Sequence, residues 1–286
     1  MVRSKPQRAY SARWPVAIAV AAIVVAGLLA SVAANENWAA DPITGCAVWT
    51  PSANEGEIVS WSGGCVDDKA SGPGVLVWMH GGRLVARYQG TLSGGKAEGF
   101  GDLHFLEPEG YVHYIGEFKG GMLHGKGQAI LPGGASFEGE FRADKPHGAG
   151  TYEGADGSFY QCEYVNGKRQ GTGAALDAEG GYYRGDFKDG LRSGTGTLID
   201  EDGNVYTGPF EQGEPNGTGI WELVDGSVYE GMVKDGKAEG SGTFTSANGD
   251  VYVGSFVDNK PSGTFTVTTT NGATVVQIWR DGERIE

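Results

Sequence analysis

The sequence predicts an all-β protein: an elongated, single-layer antiparallel β-meander of about ten 23-residue hairpin repeats, preceded by one N-terminal transmembrane helix. Three observations carry that prediction. Aromatic residues recur at a fixed step. Each opens a stretch in which apolar and polar residues alternate. One uncharged run of membrane-spanning length stands near the N terminus.

Taken in chain order, residues 1–14 form a basic tail, with Arg3, Lys5, Arg8 and Arg13 the only charges before Asn35. Residues 15–34 carry no charge and are long enough for one membrane-spanning helix, a signal anchor. The flanking charge places the tail in the cytoplasm and the rest of the chain across the membrane, in the periplasm if the source is bacterial. The competing reading is a cleaved signal peptide, with small residues at Ser31-Val-Ala33 and Val32-Ala-Ala34 as cleavage sites, leaving a secreted or periplasmic protein. Residues 35–60 carry no repeat phrase and read as a linker and N-terminal cap. Cys46 and Cys65, 19 residues apart, are the candidate disulfide closing that end of the array. Cys162 stands about four repeats away, on the order of 40 Å, too far to pair with Cys65.

The repeat domain occupies residues 61–286. Trp61, Tyr88, Tyr114, Phe137, Tyr160, Tyr183, Tyr206, Tyr229, Tyr252 and Val275 mark it, the last eight at steps of 23. In Tyr114-Ile-Gly116-Glu-Phe118 the first, third and fifth residues share one face, the period of a β-strand. Gly120 to Gly125 then reads as a turn, and Lys126 to Leu131 as the second strand. Asp202-Gly203, Asp225-Gly226 and Asn248-Gly249 fall where the chain turns back, pairs favoured in tight hairpins because glycine accepts positive φ. The glycine between two aromatics leaves room for a ring to lie across the strand. Pro209 removes a backbone donor and predicts a bulge or a missing ladder bond.

The residues Tyr114-Ile-Gly-Glu-Phe-Lys-x-Gly121-x-x-His124-Gly125-x-Gly127 resemble the MORN repeat (membrane occupation and recognition nexus). Phe137-Glu-Gly-Glu-Phe141 with His147-Gly148-Ala-Gly150 is similar, and so is Tyr229-Glu-Gly231. The resemblance spans Trp61 to Gly282. It implies an elongated single-layer β-sheet, and roles in protein–protein scaffolding, dimerisation and membrane or lipid association.

The chain has 286 residues, 51 of them glycine, and a net charge of −14; beyond the basic tail, 36 acidic residues face 18 basic ones. Such a body repels nucleic acid. Glu117, Glu140, Glu163 and Asp186 form a carboxylate column that belongs to the repeat phrase and reads as a solvated strand face, not a catalytic pair. His124 and His147 lie one repeat apart, too far to share a zinc ion. His80, His104 and His113 show no ligand spacing. The sequence therefore predicts no catalytic residue, no metal and no cofactor.

The binding face predicted is an aromatic groove of Tyr88, Tyr114, Phe118, Phe137, Phe141, Tyr160, Tyr164, Tyr183, Phe187, Tyr206, Phe210, Tyr229, Tyr252 and Phe256, part of which serves the sheet itself through ring-on-ring contacts while the rest stays open. Its expected occupant is a protein partner, the alternative an envelope glycan or phospholipid. The free sheet edges suggest a homodimer. The function expected is a membrane-tethered extracytoplasmic scaffold, with an enzyme as a remote alternative.

Overall fold

The structure, a computed structural model, describes residues 38–50, 57–107 and 110–286. The tail 1–14 and the apolar run 15–34, on which the transmembrane prediction falls, lie outside the described residues. Among the described residues no helix is long and apolar enough to cross a membrane. Nearly everything described is strand; one short 3-10 turn at Pro132–Gly134 interrupts it. The fold is built from antiparallel hairpins, as the alternation predicts, and it divides into two compact units, one ending at Lys168 and one spanning Arg169–Glu286.

The first unit holds the long strands Lys69–His80, Arg83–Ser93, Lys96–Glu107 and Gly110–Lys119, then Met122–Ile130, Ser136–Arg142, Lys145–Glu153 and Phe159–Val165. Each pairs with its sequence neighbours. The second unit opens with Lys168–Leu176 and continues through Tyr182–Lys188, Leu191–Ile199 and Val205–Glu211 to Thr274–Arg280 in the same pattern.

The first turn of each hairpin is shorter than the sequence suggests. It consists of two residues, both at positive φ: Gly120 and Gly121 (61° and 88°), Ala143 and Asp144 (48° and 65°), Asp235 and Gly236 (48° and 78°). This is the primed turn whose twist matches that of paired strands. The second strand therefore begins at Met122 rather than Lys126. The Asp-Gly pairs sit instead in longer connections. At Asp200 to Asn204 only Gly203 has positive φ, and the Asp200 carboxylate accepts the amides of Asp202 and Asn204.

A second regular device recurs from hairpin to hairpin. Gly116 pairs with Gly127, but the next residue, Glu117, pairs with His124. Gly125 and Lys126 are thereby left over, and they pair with Phe141 and Glu140 of the following hairpin. The same step recurs after Gly90, Gly139 and Gly185. Gly125 has φ of 56°, which is why the first glycine of each Gly-x-Gly is glycine. The bend swings each two-residue turn back onto the preceding hairpin. Gly121 donates its amide to the Ala97 carbonyl (2.9 Å), Gly167 to Pro146 (2.8 Å) and Gly236 to Pro215 (2.9 Å).

Pro209 has the predicted effect. The strand opposite it breaks at Asn216 into Glu214–Pro215 and Gly217–Glu222, and the Asn216 amide donates to the Pro209 carbonyl (2.9 Å).

The segment read as linker and cap carries its own hairpin, Trp38–Ala40 with Ala47–Trp49. Cys46 and Cys65 are disulfide-bonded, with Cα atoms 5.7 Å apart. Trp38 covers Gly95 and Trp49 covers Gly121, so this hairpin lies over the first-turn ends of two repeats. The Trp49 amide donates to the Gly95 carbonyl (2.8 Å). The Asp41 carboxylate, almost fully buried, accepts the amides of Trp61 (2.7 Å), Ile43 (2.8 Å) and Thr44 (3.1 Å). Burial alone would raise its pKa, but these three bonds, with one from the Ser60 side chain, outweigh that and hold the carboxyl below its usual range.

Candidate functional site: the two faces of the sheet

The predicted aromatic groove is not a free surface. Of its fourteen residues, thirteen are buried, from Phe137 and Tyr206 at 0% exposed to Tyr160 at 7%, and only Tyr252 is partly accessible. The reason is geometric. Most leading rings lie over a pair of cross-strand glycines: a Cβ on Gly196 would fall 2.6 Å from Tyr183, and one on Gly219 would fall 2.5 Å from Tyr206. The bend at Gly-x-Gly then brings the second aromatic of the phrase edge-on against it. In the first unit the rings run Tyr88, Phe118, Tyr114, Phe141, Phe137, Tyr164, each 5.1–5.2 Å from the next with interplanar angles of 81–88°. In the second unit Tyr183 meets Phe187 and Phe210, and Phe210 meets Tyr206, at 5.0–5.3 Å. Edge-to-face pairs at such distances add about 0.5–1.5 kcal/mol each beyond area burial. These rings are the core.

Five of the buried phenols, Tyr88 among them, are satisfied by the bend itself. Tyr114 donates to the Glu117 carbonyl (3.0 Å), Tyr183 to Asp186 (2.9 Å), Tyr206 to Pro209 (3.1 Å) and Tyr229 to Met232 (2.7 Å), always three residues on. Trp61 follows the rule with its indole, donating Nε1–H to the Gly64 carbonyl (2.9 Å), so it is a full member of the series. Burial pushes the phenols of Tyr88, Tyr183, Tyr206 and Tyr229 up to about 12, and Tyr114 moves the same way.

Two departures from the phrase repack locally. Cys162, in the glycine position, is buried opposite Gly150. Phe265 replaces the second glycine of its Gly-x-Gly. It covers Gly254 in place of Tyr252, which leaves Tyr252 partly exposed. Phe265, 1% exposed, is a core residue that the phrase did not reveal.

The carboxylate column has a structural task. Glu117 accepts the Lys126 amide (3.2 Å) and packs on Gly125; Asp186 accepts the Thr195 amide (3.3 Å) and packs on Gly194. Each stitches the bend of its own hairpin.

The accessible regular surface is the opposite, outer face. In the second unit Thr207, Ile220, Glu230, Thr243, Val253, Thr266 and Val276 are successive cross-strand neighbours. Ile220 is 38% exposed, Val253 50% and Val276 66%. The outer face of the first unit is more polar and gathers Asp102, His104 and His113. The expectation that these histidines share no ligand arrangement is corrected by the strand register, which sets His104 against His113.

Among known protein families, the MORN repeat matches residues 88–105, 114–136, 137–159, 160–181, 183–205, 206–228, 229–251 and 252–264. No curated protein matches the chain. Among solved structures it is similar to the TCP domain of Drosophila melanogaster SAS-4 (dCPAP) in complex with a proline-rich motif of Ana2. That likeness has a TM-score of 0.35 and 17% identity, over 54% of this chain and 84% of that one. The wild-type TCP10 domain of Danio rerio CPAP gives a TM-score of 0.33 and 10% identity, over 70% of this chain and 86% of that one. Likeness this weak assigns neither fold nor ligand. The family matches cover more than half of the chain, in phase with the ring-on-glycine hairpins, and the chain belongs to the MORN-repeat family.

Proposed function

We propose that the protein is a non-enzymatic, membrane-tethered scaffold that docks a protein partner on the outer face of its second unit, on the extracytoplasmic side of the membrane. The observation that carries the reading is the exposed row from Thr207 to Val276. Seven neighbouring strands there present short, mostly β-branched and uncharged side chains, while the large rings are consumed by the core. A flat row of pre-ordered strand residues offers a partner apolar contact at little entropic cost. The tether rests on the uncharged run 15–34 behind four basic residues, and the compartment agrees with a disulfide at Cys46–Cys65.

The test is cross-linking in intact cells, comparing the native chain with an Ile220→Asp/Val253→Asp/Val276→Asp variant. The expected result is a specific partner protein captured by the first and lost with the second, at unchanged thermal stability. Equal capture by both would overturn the docking face. Saturable binding of purified wall glycan or of liposomes, with no protein captured, would replace the partner with those ligands. Protease shaving of cells with the outer barrier opened should degrade the repeats only from the non-cytoplasmic side.

A further inference from the structure

Three side chains, Asp102, His104 and His113, converge on the outer face of the first unit. Asp102 and His104 are two residues apart on strand Lys96–Glu107 and so project to the same side. His113, on strand Gly110–Lys119, stands directly opposite His104 in the ladder. The Nε2 atoms of His104 and His113 each lie 2.8 Å from the same Asp102 oxygen, Oδ1. The two imidazoles stack with centroids 4.2 Å apart and planes 19° from parallel. Side-chain exposures of 30%, 34% and 24% for His104, Asp102 and His113 leave the cluster open to an ion from solvent.

We propose that Asp102, His104 and His113 form a binding site for a divalent transition-metal cation, zinc in the first instance, through the two Nε2 atoms and the Asp102 carboxylate. The donor set decides the class. Two imidazoles and one carboxylate suit zinc and its neighbours, whereas calcium and magnesium demand oxygen-rich shells. The spacing agrees. Ligands on a tetrahedral zinc at bonds of about 2.0–2.2 Å stand roughly 3.3–3.5 Å from one another. The observed 2.8 Å separations need to open by about 0.5–0.7 Å, and all three ligand atoms already lie within 4.8 Å of one another, within the reach of side-chain torsions on a fixed ladder. Without metal, both Nε2 atoms face the same Asp102 oxygen at hydrogen-bonding distance. A cation seated among the three atoms draws the stacked rings into one coordination shell. The remaining position faces solvent. Arg87 neighbours His104 across the ladder, and its guanidinium donates to Gln89 Oε1 (2.6 Å).

The experiment titrates zinc chloride into the full chain by competition with a chromogenic chelator, and follows cobalt(II) absorption in parallel. One equivalent should bind, with a visible cobalt band, and His104→Gln or His113→Gln should weaken binding by about tenfold or more while the far-ultraviolet circular dichroism stays unchanged. The wild-type chain gives an independent readout. The imidazole proton resonances of His104 and His113 should shift together at one equivalent of zinc, with those of His80, His124 and His147 unmoved. Zinc affinity unchanged in the His104→Gln/His113→Gln double variant, a silent resonance pair, or displacement of zinc by millimolar calcium would each overturn the site.

Discussion

A buried phenol in this protein spans two jobs: its ring fills the space above two glycines, and its hydroxyl closes the carbonyl that the bend exposes three residues on. Removing only the hydroxyl, as in Tyr206→Phe, leaves the ring contacts and should cost about 1 kcal/mol in urea unfolding, whereas Tyr206→Ala should cost about 3–5 kcal/mol. The phenols also predict an alkaline limit. A group whose folded pKa lies above its unfolded value near 10 contributes fully below pH 10 and loses that contribution as pH rises toward about 12. Tyrosinate absorbance should therefore appear together with loss of strand dichroism between those values; ionisation of all tyrosines near pH 10 with the sheet intact would refute it. Asp41 sets the acid side. Its folded pKa is depressed, so its contribution is present above about pH 4 and is lost as pH falls through the folded value. Asp41→Asn should remove that acid sensitivity and lower stability at neutral pH by about 1–3 kcal/mol, read by thermal melts across pH 2–7.

The hairpin is the unit in which ring and glycine are one design. A methyl at Gly196 would fall 2.6 Å from the Tyr183 ring, so Gly196→Ala should destabilise by about 1–3 kcal/mol. Combining it with Tyr183→Ala should recover part of the loss, a coupling seen in a double-mutant cycle; strictly additive effects would show that ring and glycine do not meet in solution. Much of this was legible. The 23-residue step, the strand alternation and the Gly-x-Gly pair all survive in the structure because each answers a local steric demand. The bend was not legible. A flat meander of these residues has one open aromatic face, and only the register step after Gly116, Gly139 and Gly185 buries it. That step is written in glycines that read equally well as turn residues, which is why the sequence predicts too long a turn. The histidine pair was hidden for a related reason: His104 and His113 meet only through the register of strands Lys96–Glu107 and Gly110–Lys119, and their spacing of nine residues does not announce that register.

At the scale of the whole molecule, stability accrues within each unit from neighbour to neighbour, with one hairpin resting on the one before it. The cap is then a local fixture. Replacing Cys46 and Cys65 by serine should cost about 3 kcal/mol and speed amide exchange around Trp38–Trp61. Exchange in Arg169–Glu286 should stay as it was; uniform acceleration would reveal a single cooperative body instead. The backward-pointing turn amides have one more consequence. Gly121 reaches Ala97, Gly167 reaches Pro146, and Gly236 reaches Pro215, so every new hairpin finds its acceptor in chain already synthesised. Assembly therefore has an arrow. A polypeptide emerging amino end first, from a ribosome or through a translocation pore, can lock each rung as it arrives, with no need to wait for its own tail.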